Sequence, residues 1–214
     1  MRYYPLFLDI IGRRCVIIGG GQVAERKIDR LLECGAAVEI VSRELTPALA
    51  ALKAAGKVRH HGTDYEEALI RGAFLVIGAT DNGAINGRIA ADARRMGIPV
   101  NIVDDPGLCN FILPSLLARG DLSIAVSTGG RSPALAKKVR QELEKTYGPE
   151  YEALTEILGK LRRKILSAGT PSLNQDKFQA IVRSNILELV RLQQWPDVER
   201  LIKELTGIEM EVGR

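Results

Sequence analysis

Three consecutive glycines, Gly19-Gly20-Gly21, follow the apolar run Cys15-Val16-Ile17-Ile18 and open directly onto a helical pattern. In that pattern Ala24, Ile28, Leu31 and Leu32 recur at i, i+4, i+7 and i+8, with Gly35 as the stop signal. The six residues from Gly19 to Ala24 have the form G-x-G-x-x-A. Gly19 permits a tight turn, Gly21 lets the backbone approach a pyrophosphate, and the small Ala24 lets the helix lie close to a sheet. The free N–H groups of the helix then face the phosphates. An ordinary strand-to-helix turn would also use these glycines, so the surrounding elements must decide.

They favour the dinucleotide reading. Short runs rich in Val and Ile ("CVIIGG", "AVEIVS", "KVRHH", "FLVIGAT", "PVNIVDD") alternate with helical patterns through the first hundred residues, which is the mark of a parallel sheet with crossover helices. The pattern changes near residue 109. "NFILPSLLARGDLSIAVSTGG" reads as two strands joined at Arg119-Gly120-Asp121, close enough to form an antiparallel hairpin. After Pro133 the apolar spacing is helical: Leu135, Val139 and Leu143, then Leu154 to Leu161, then Phe178, Ile181, Val182 and Leu189, then Val198 to Leu205, with breaks at "YGPE", "SAGTPS" and "WP". The expected architecture is α/β: a Rossmann-type sheet over 1–108, a strand hairpin and helix over 109–146, and a helical C-terminal region over 147–214.

In an open parallel sheet the carboxyl ends of the strands line the ligand crevice, so the residues following each strand are the candidates. The second strand ends at Ser42-Arg43-Glu44. An acidic residue there bonds the ribose of NAD and an arginine accommodates the phosphate of NADP; this chain offers both. Glu39 lies inside the strand and is expected to be a surface side chain. Thr80 and Asp81 follow the fourth strand, where Asp81 or Asn82 would also cap the next helix. Asn101, Asp104 and Asp105 follow the fifth. A carboxylate there can accept a proton while a hydride leaves, with burial tuning its pKa, although Asp-Pro-Gly is also good turn chemistry. Ser127, Thr128, Gly129, Gly130, Arg131 and Ser132 precede a helix starting at Pro133. They make either an anion site or a simple capped helix start.

Composition excludes several classes. At 46% hydrophobic and 26% charged residues the chain has enough apolar material for a core. No run approaches the roughly 20 apolar residues of a membrane span. The first residues lack a signal-peptide pattern, so a cytoplasmic location is expected. Cys15, Cys34 and Cys109 are odd in number and lack metal-type spacing; His60 and His61 are adjacent and would point to opposite strand faces. No metal site is expected. The net charge of +4 is spread among acidic residues rather than gathered in a tail, which suits a small polyanion better than nucleic acid. Neither a Tyr-x-x-x-Lys pair nor a Walker loop is present to suggest another nucleotide enzyme.

Taken together, "PLFLDIIGRRCVIIGGGQVAERK", "GATDN", "VNIVDDPGLCNFILPS" and "AVSTGGRSPALAKKVR" resemble, in order and spacing, the precorrin-2 dehydrogenase module of siroheme biosynthesis. The motifs cover roughly residues 5 to 140. The resemblance implies NAD-dependent oxidation of precorrin-2 to sirohydrochlorin in a homodimer whose hairpin and helices lie against the partner. Asp104 matches the family's catalytic aspartate, and Gln22, Val23, Arg43 and Glu44 match cofactor-contact positions. Thr128 stands where some members have serine, keeping the hydroxyl. Some members also insert iron and others only oxidise, so that second activity stays open. The methyltransferase part of the largest members is expected to be absent. The alternative of another class is an NAD(H)-binding redox-sensing regulatory module without turnover, which would need a DNA-reading or gating element.

Overall fold

Alternating strand residues sort into two cores, one on each side of a sheet. The computed structural model describes residues 2–167 and 171–213, and the chain divides into two units, Met1–Leu113 and Pro114–Arg214. In the first, β1 (Arg14–Ile18), α1 (Gln22–Glu33), β2 (Ala37–Val41), α2 (Pro47–Ala54), β3 (Val58–His61), β4 (Leu75–Gly78), α3 (Gly83–Arg95) and β5 (Val100–Ile102) form a parallel sheet of order β3-β2-β1-β4-β5. Cys15 and Ile17 point to the face covered by α1 and α2, where they meet Ala24, Ile28, Leu31 and Leu49. Val16 and Ile18 point to the opposite face and meet Ile89, Ala90 and Ala93 of α3. Burial on both faces is why β1 and β4 read as apolar runs. Truncating a fully buried member such as Ile28 to Ala would cost about 2–5 kcal/mol.

The chain leaves β1 through α1 toward β2 and β3, then returns to β4 on the other side of β1. This reversal opens a crevice outside the carboxyl ends of β1 and β4. The return from β3 uses a 3₁₀ turn, Glu67–Ile70, anchored by buried Ile70 and Tyr65. Arg14 ties that turn down, donating to the carbonyls of Leu69 (2.7 Å) and Arg71 (2.9 Å).

Arg14 also corrects the expectation for Glu39. The Glu39 side chain is 12% exposed and accepts from Arg14 at 2.9 Å, with His61 at 2.9 Å and Arg59 at 3.6 Å. The strand position faces a neighbour that reaches over it, and the Arg14 hydrogen bond holds the Glu39 carboxyl down at about 2. His60 engages a different partner, the carbonyl of Ser42 at 2.8 Å. Among the described residues no group of acidic, His and Cys side chains could hold a metal ion.

The second unit begins with the antiparallel pair β6 (Ser115–Arg119) and β7 (Leu122–Val126), followed by α4 (Pro133–Thr146), α5 (Glu150–Ser167), α6 (Pro171–Arg183), α7 (Ile186–Arg191) and α8 (Trp195–Thr206). Leu154, Ile157, Leu161, Ile165, Ile181, Val190, Val198 and Ile202 form its core. The apolar group from Phe178 to Leu189 is split between two helices, because the Ser184 hydroxyl donates to the Ile181 carbonyl and accepts from Ile186 N–H, ending α6. Within the expected break "SAGTPS", Ala168–Thr170 lie outside the described residues. No described helix is long and apolar enough to cross a membrane.

Candidate functional site

The glycine loop contains three glycines with three different reasons to be glycine. Gly19 has φ +123°, and a Cβ there would overlap the Ala79 carbonyl, so the tails of β1 and β4 approach each other only because the side chain is missing. A Cβ on Gly20 would overlap the Glu44 carbonyl, and Thr46 N–H donates to the Gly20 carbonyl at 3.0 Å. Residues 42–46 are thereby held against the loop. Gly20, in a variable position of the motif, was not legible as essential because its constraint comes from a segment 24 residues away.

Gly21 differs. Its φ of −88° and ψ of −177° suit any residue, and an added Cβ would meet nothing within 4 Å. The fold does not require glycine here; a side chain would project into the space in front of α1. Gly21 is the N-cap of α1 and offers no capping side chain, and the first helical bond is Glu25 N–H to the Gly21 carbonyl. The N–H groups of Gln22, Val23 and Ala24 thus precede the ladder, at the positive end of a helix. By contrast α2, α3 and α4 are capped by the side chains of Thr46, Asn82 and Ser132. Open space in front of an uncapped helix start fits a dinucleotide pyrophosphate.

The other rim residues follow from the same edge. After β2, the Ser42 hydroxyl donates to the Glu44 carbonyl at 2.6 Å, and exposed Arg43 pairs with Asp64 at 2.5 Å. After β4, the Thr80 hydroxyl donates to Asn86 Oδ1 at 2.8 Å while Asn86 Nδ2 returns to the Thr80 carbonyl at 3.0 Å. Buried Asn86 fixes this loop; its signal was a polar residue on the apolar face of α3. Asp81 is exposed, and Asn82, not Asp81, caps α3, accepting from Ile85 N–H at 3.1 Å.

After β5 the two aspartates separate in role. Asp105 is a turn residue: its Oδ1 accepts from the N–H groups of Gly107 (3.1 Å) and Leu108 (3.3 Å). Asp104 has φ +60°, held by Asp105 N–H donating to the Ile102 carbonyl at 3.3 Å. It is one of two non-glycine residues with positive φ among the described residues, and Asp there costs on the order of 1 kcal/mol. Asp104 is exposed, contrary to the expectation of tuning by burial, because the turn lifts it off the strand end. Asn101 is buried, its amide donating to the Phe111 carbonyl at 3.1 Å. Cys109 latches the intervening loop, its buried sulfur accepting from Ile102 N–H at 3.2 Å.

Lys27 lies one turn beyond Val23 on α1, and no motif marks it in the sequence. It is half-buried, and burial and then Arg26 lower its pKa while the charge of Asp104 raises it. Val103 and Phe111 pack in the same cluster as Ala24 and Ile28, which brings the Asp104 loop to the α1 side of the sheet. The first unit therefore gathers on one edge an uncapped helix start, the exposed charges of Arg43 and Glu44 and the exposed carboxylate of Asp104.

The turn before α4 belongs to the second unit. Gly129 and Gly130 have φ of +64° and +84°. Ser127 Oγ accepts from Gly129 N–H (3.0 Å), Thr128 Oγ1 from Ser132 N–H (2.9 Å), and Ser132 Oγ from Leu135 N–H (3.2 Å). The capped helix start is real, and each hydroxyl keeps its proton available to donate. Arg131 is exposed beside it.

Residues 6–115 match the family model described as "Putative NAD(P)-binding", and residues 119–146 match the one described as sirohaem biosynthesis protein central. The chain is 36% identical to a siroheme synthase of Methylobacillus flagellatus over 87% of this chain and 41% of that protein. It is 41% identical to one of Nitrosospira multiformis over 89% and 41%, and 36% identical to one of Pseudomonas putida over 100% and 46%. The chain thus spans less than half the length of these curated relatives. A solved structure of SirC, precorrin-2 dehydrogenase, superposes with a TM-score of 0.78 at 25% identity, covering 96% of this chain and all of that one. With the NAD(P)-binding model matching half of its length, the chain belongs to the putative NAD(P)-binding family, carries the sirohaem biosynthesis central element directly after it, and is similar to siroheme synthases and to a precorrin-2 dehydrogenase.

Proposed function

We propose that the chain oxidises precorrin-2 to sirohydrochlorin with NAD. The observation that carries this reading is the pairing, on one sheet edge, of an uncapped α1 start behind Gly21 with Asp104 in a left-handed conformation. Bound NAD supplies the hydride acceptor. Gly19, Gly21, Gln22 and Val23 hold the pyrophosphate, Arg43 and Glu44 flank the adenosine ribose, and Thr80 and Asp81 border the crevice. Oxidation removes one hydride and one proton from the macrocycle, and the Asp104 carboxylate takes the proton. Asn101, expected to meet the substrate, is buried with its amide committed to the Phe111 carbonyl, so its part is to tie the strand end to the 109–111 segment.

Precorrin-2 is a polycarboxylate, and the turn Ser127, Thr128, Gly129, Gly130, Arg131 and Ser132 offers hydroxyls, N–H groups and a cation to its acetate and propionate arms. We assign residues 109–146 to this turn and to dimerisation, and 147–214 to a helical domain. Support for a homodimer comes from α4, whose apolar stripe is poorly covered: Ala136 is its one buried residue and Leu135 is 51% exposed. Cytoplasmic location is consistent with three free thiols, of which buried Cys15 and Cys109 are part of the core. Insertion of iron into sirohydrochlorin would also need proton removal, from pyrrole nitrogens, and Asp104 is the base available for it.

The test is anaerobic turnover. Wild type should release NADH on addition of precorrin-2, and Asp104→Asn should bind NAD yet lose roughly 100-fold in kcat. Binding of NAD by wild type without any turnover would replace this reading with the sensor. Cobalt or iron uptake by sirohydrochlorin, followed separately, decides the second activity.

A further inference from the structure

The end of β2 carries opposite instructions, an arginine suited to a 2′-phosphate and a glutamate suited to a ribose hydroxyl. The fold adds a third charge. β2 and β3 run parallel with Val41 opposite His61, and Ser42 N–H donates to the His61 carbonyl at 3.2 Å, so the loops leaving both strands emerge side by side. Arg43 lies two residues past one strand end and Asp64 three past the other, and their side chains meet at 2.5 Å. The 42–44 stretch is pressed against Gly20, so this pair stands at the flank of the glycine loop. With Glu44 exposed next to it, the corner has one positive and two negative charges.

We propose that Asp64 is a specificity-determining residue, which selects NAD over NADP by occupying the Arg43 guanidinium that would otherwise receive a 2′-phosphate. The proposal rests on the dinucleotide-binding reading above. A 2′-phosphate approaching this corner must displace the Asp64 carboxylate from Arg43 and remain close to two acidic groups. The neutral 2′-hydroxyl of NAD meets neither cost. The pair is exposed, at 75% for Arg43 and 62% for Asp64, so it adds little to stability and can be altered without unfolding the unit.

The experiment compares Kd for NAD and NADP in wild type, Asp64→Asn and Asp64→Asn/Arg43→Gln, by titration of the full chain at low salt. Asp64→Asn should tighten NADP relative to NAD by about three- to tenfold, with NAD affinity within about twofold of wild type. The gain should shrink as salt is raised. It should vanish in the double variant, since it works through the freed guanidinium. An unchanged NADP/NAD ratio in Asp64→Asn, while wild type binds NAD, overturns the proposal alone; so does a gain that survives loss of Arg43. A wild type that binds neither dinucleotide overturns the underlying reading, and the proposal with it.

Discussion

Replacing Gly21 by Asp should move stability and cofactor binding in opposite directions. Gly21 holds an N-cap conformation, φ −88° and ψ −177°, that any residue adopts, and its Cβ would enter open space. Losing a glycine's freedom in the unfolded chain contributes about 0.4–1 kcal/mol of stability, and an Asp cap adds a few tenths over Gly. The first unit should therefore melt roughly 2–5 °C higher. The same carboxylate would accept from the N–H of Val23 or Ala24, the groups proposed to hold the pyrophosphate, and would add a negative charge facing it. Losing two charge-assisted hydrogen bonds at about 1.5–3 kcal/mol each should weaken NAD binding by more than about 100-fold. Thermal melts without cofactor and NAD titration by calorimetry read the two effects separately. A folded Gly21→Asp protein with NAD affinity within threefold of wild type would refute the phosphate cradle. One that melts lower without cofactor would show that α1 does not start where its cap geometry places it.

Gly20→Ala should do the reverse of Gly21→Asp, lowering the melting temperature because its Cβ overlaps the Glu44 carbonyl; a melt unchanged within 1 or 2 °C, on the roughly few-degree scale of a 1 kcal/mol change, would contradict that packing. Arg131→Ala should raise KM for precorrin-2 by about 5- to 100-fold, more than it lowers kcat, since an exposed cation contributes binding uniform along the reaction path; steady-state kinetics with an unaltered KM would limit Arg131 to the surface of a capped helix. Glu39, held at about 2 by Arg14 and titrating higher in the unfolded chain, adds stability that is complete above about pH 4.5 and lost as pH falls toward 2. Comparing Glu39→Gln with wild type by denaturant unfolding should give a difference on the order of 1–3 kcal/mol at pH 6 that shrinks steadily below about pH 4.5 and is lost only near pH 2, and a difference independent of pH would sink the assignment.

What the sequence revealed, and what it hid, follows from the range of the forces involved. The parallel sheet was legible because the central strands β1 and β4 are buried on both faces and α1, α2 and α3 carry their own periodicity, so local pattern and global fold agree. The hairpin was legible from its spacing about Gly120-Asp121. The split between α6 and α7 was not, since an apolar period passes through Ser184 while the Ser184 hydroxyl ends the helix through backbone groups. The pairing of Glu39 is hidden because its partners come from β1 and β3, and the need for Gly20 is hidden because its constraint is a carbonyl from another loop. In the site, residue types were readable and their states were not. Asp-Asp-Pro-Gly announced a turn, yet only the fold distinguishes Asp105, which builds it, from Asp104, which is carried in a conformation suited to glycine.

That distinction bears on function more than the motif does. Local rules are broken where a fold serves something other than its own stability. Three such breaks occur along one sheet edge: α1 begins without a side-chain cap, Asp104 holds positive φ, and Lys27 is half-buried without an ion pair to any described residue. Each has a cheaper alternative available in the same backbone. An Asp at 21 would cap the helix, a Gly at 104 would relieve the turn, and a Met at 27 would cover the same apolar surface without a charge to desolvate. The three departures leave a positive helix end, an exposed carboxylate and a cation within its field, which is the charge pattern that the proposed dehydrogenation, with an anionic cofactor held beside a base, calls for.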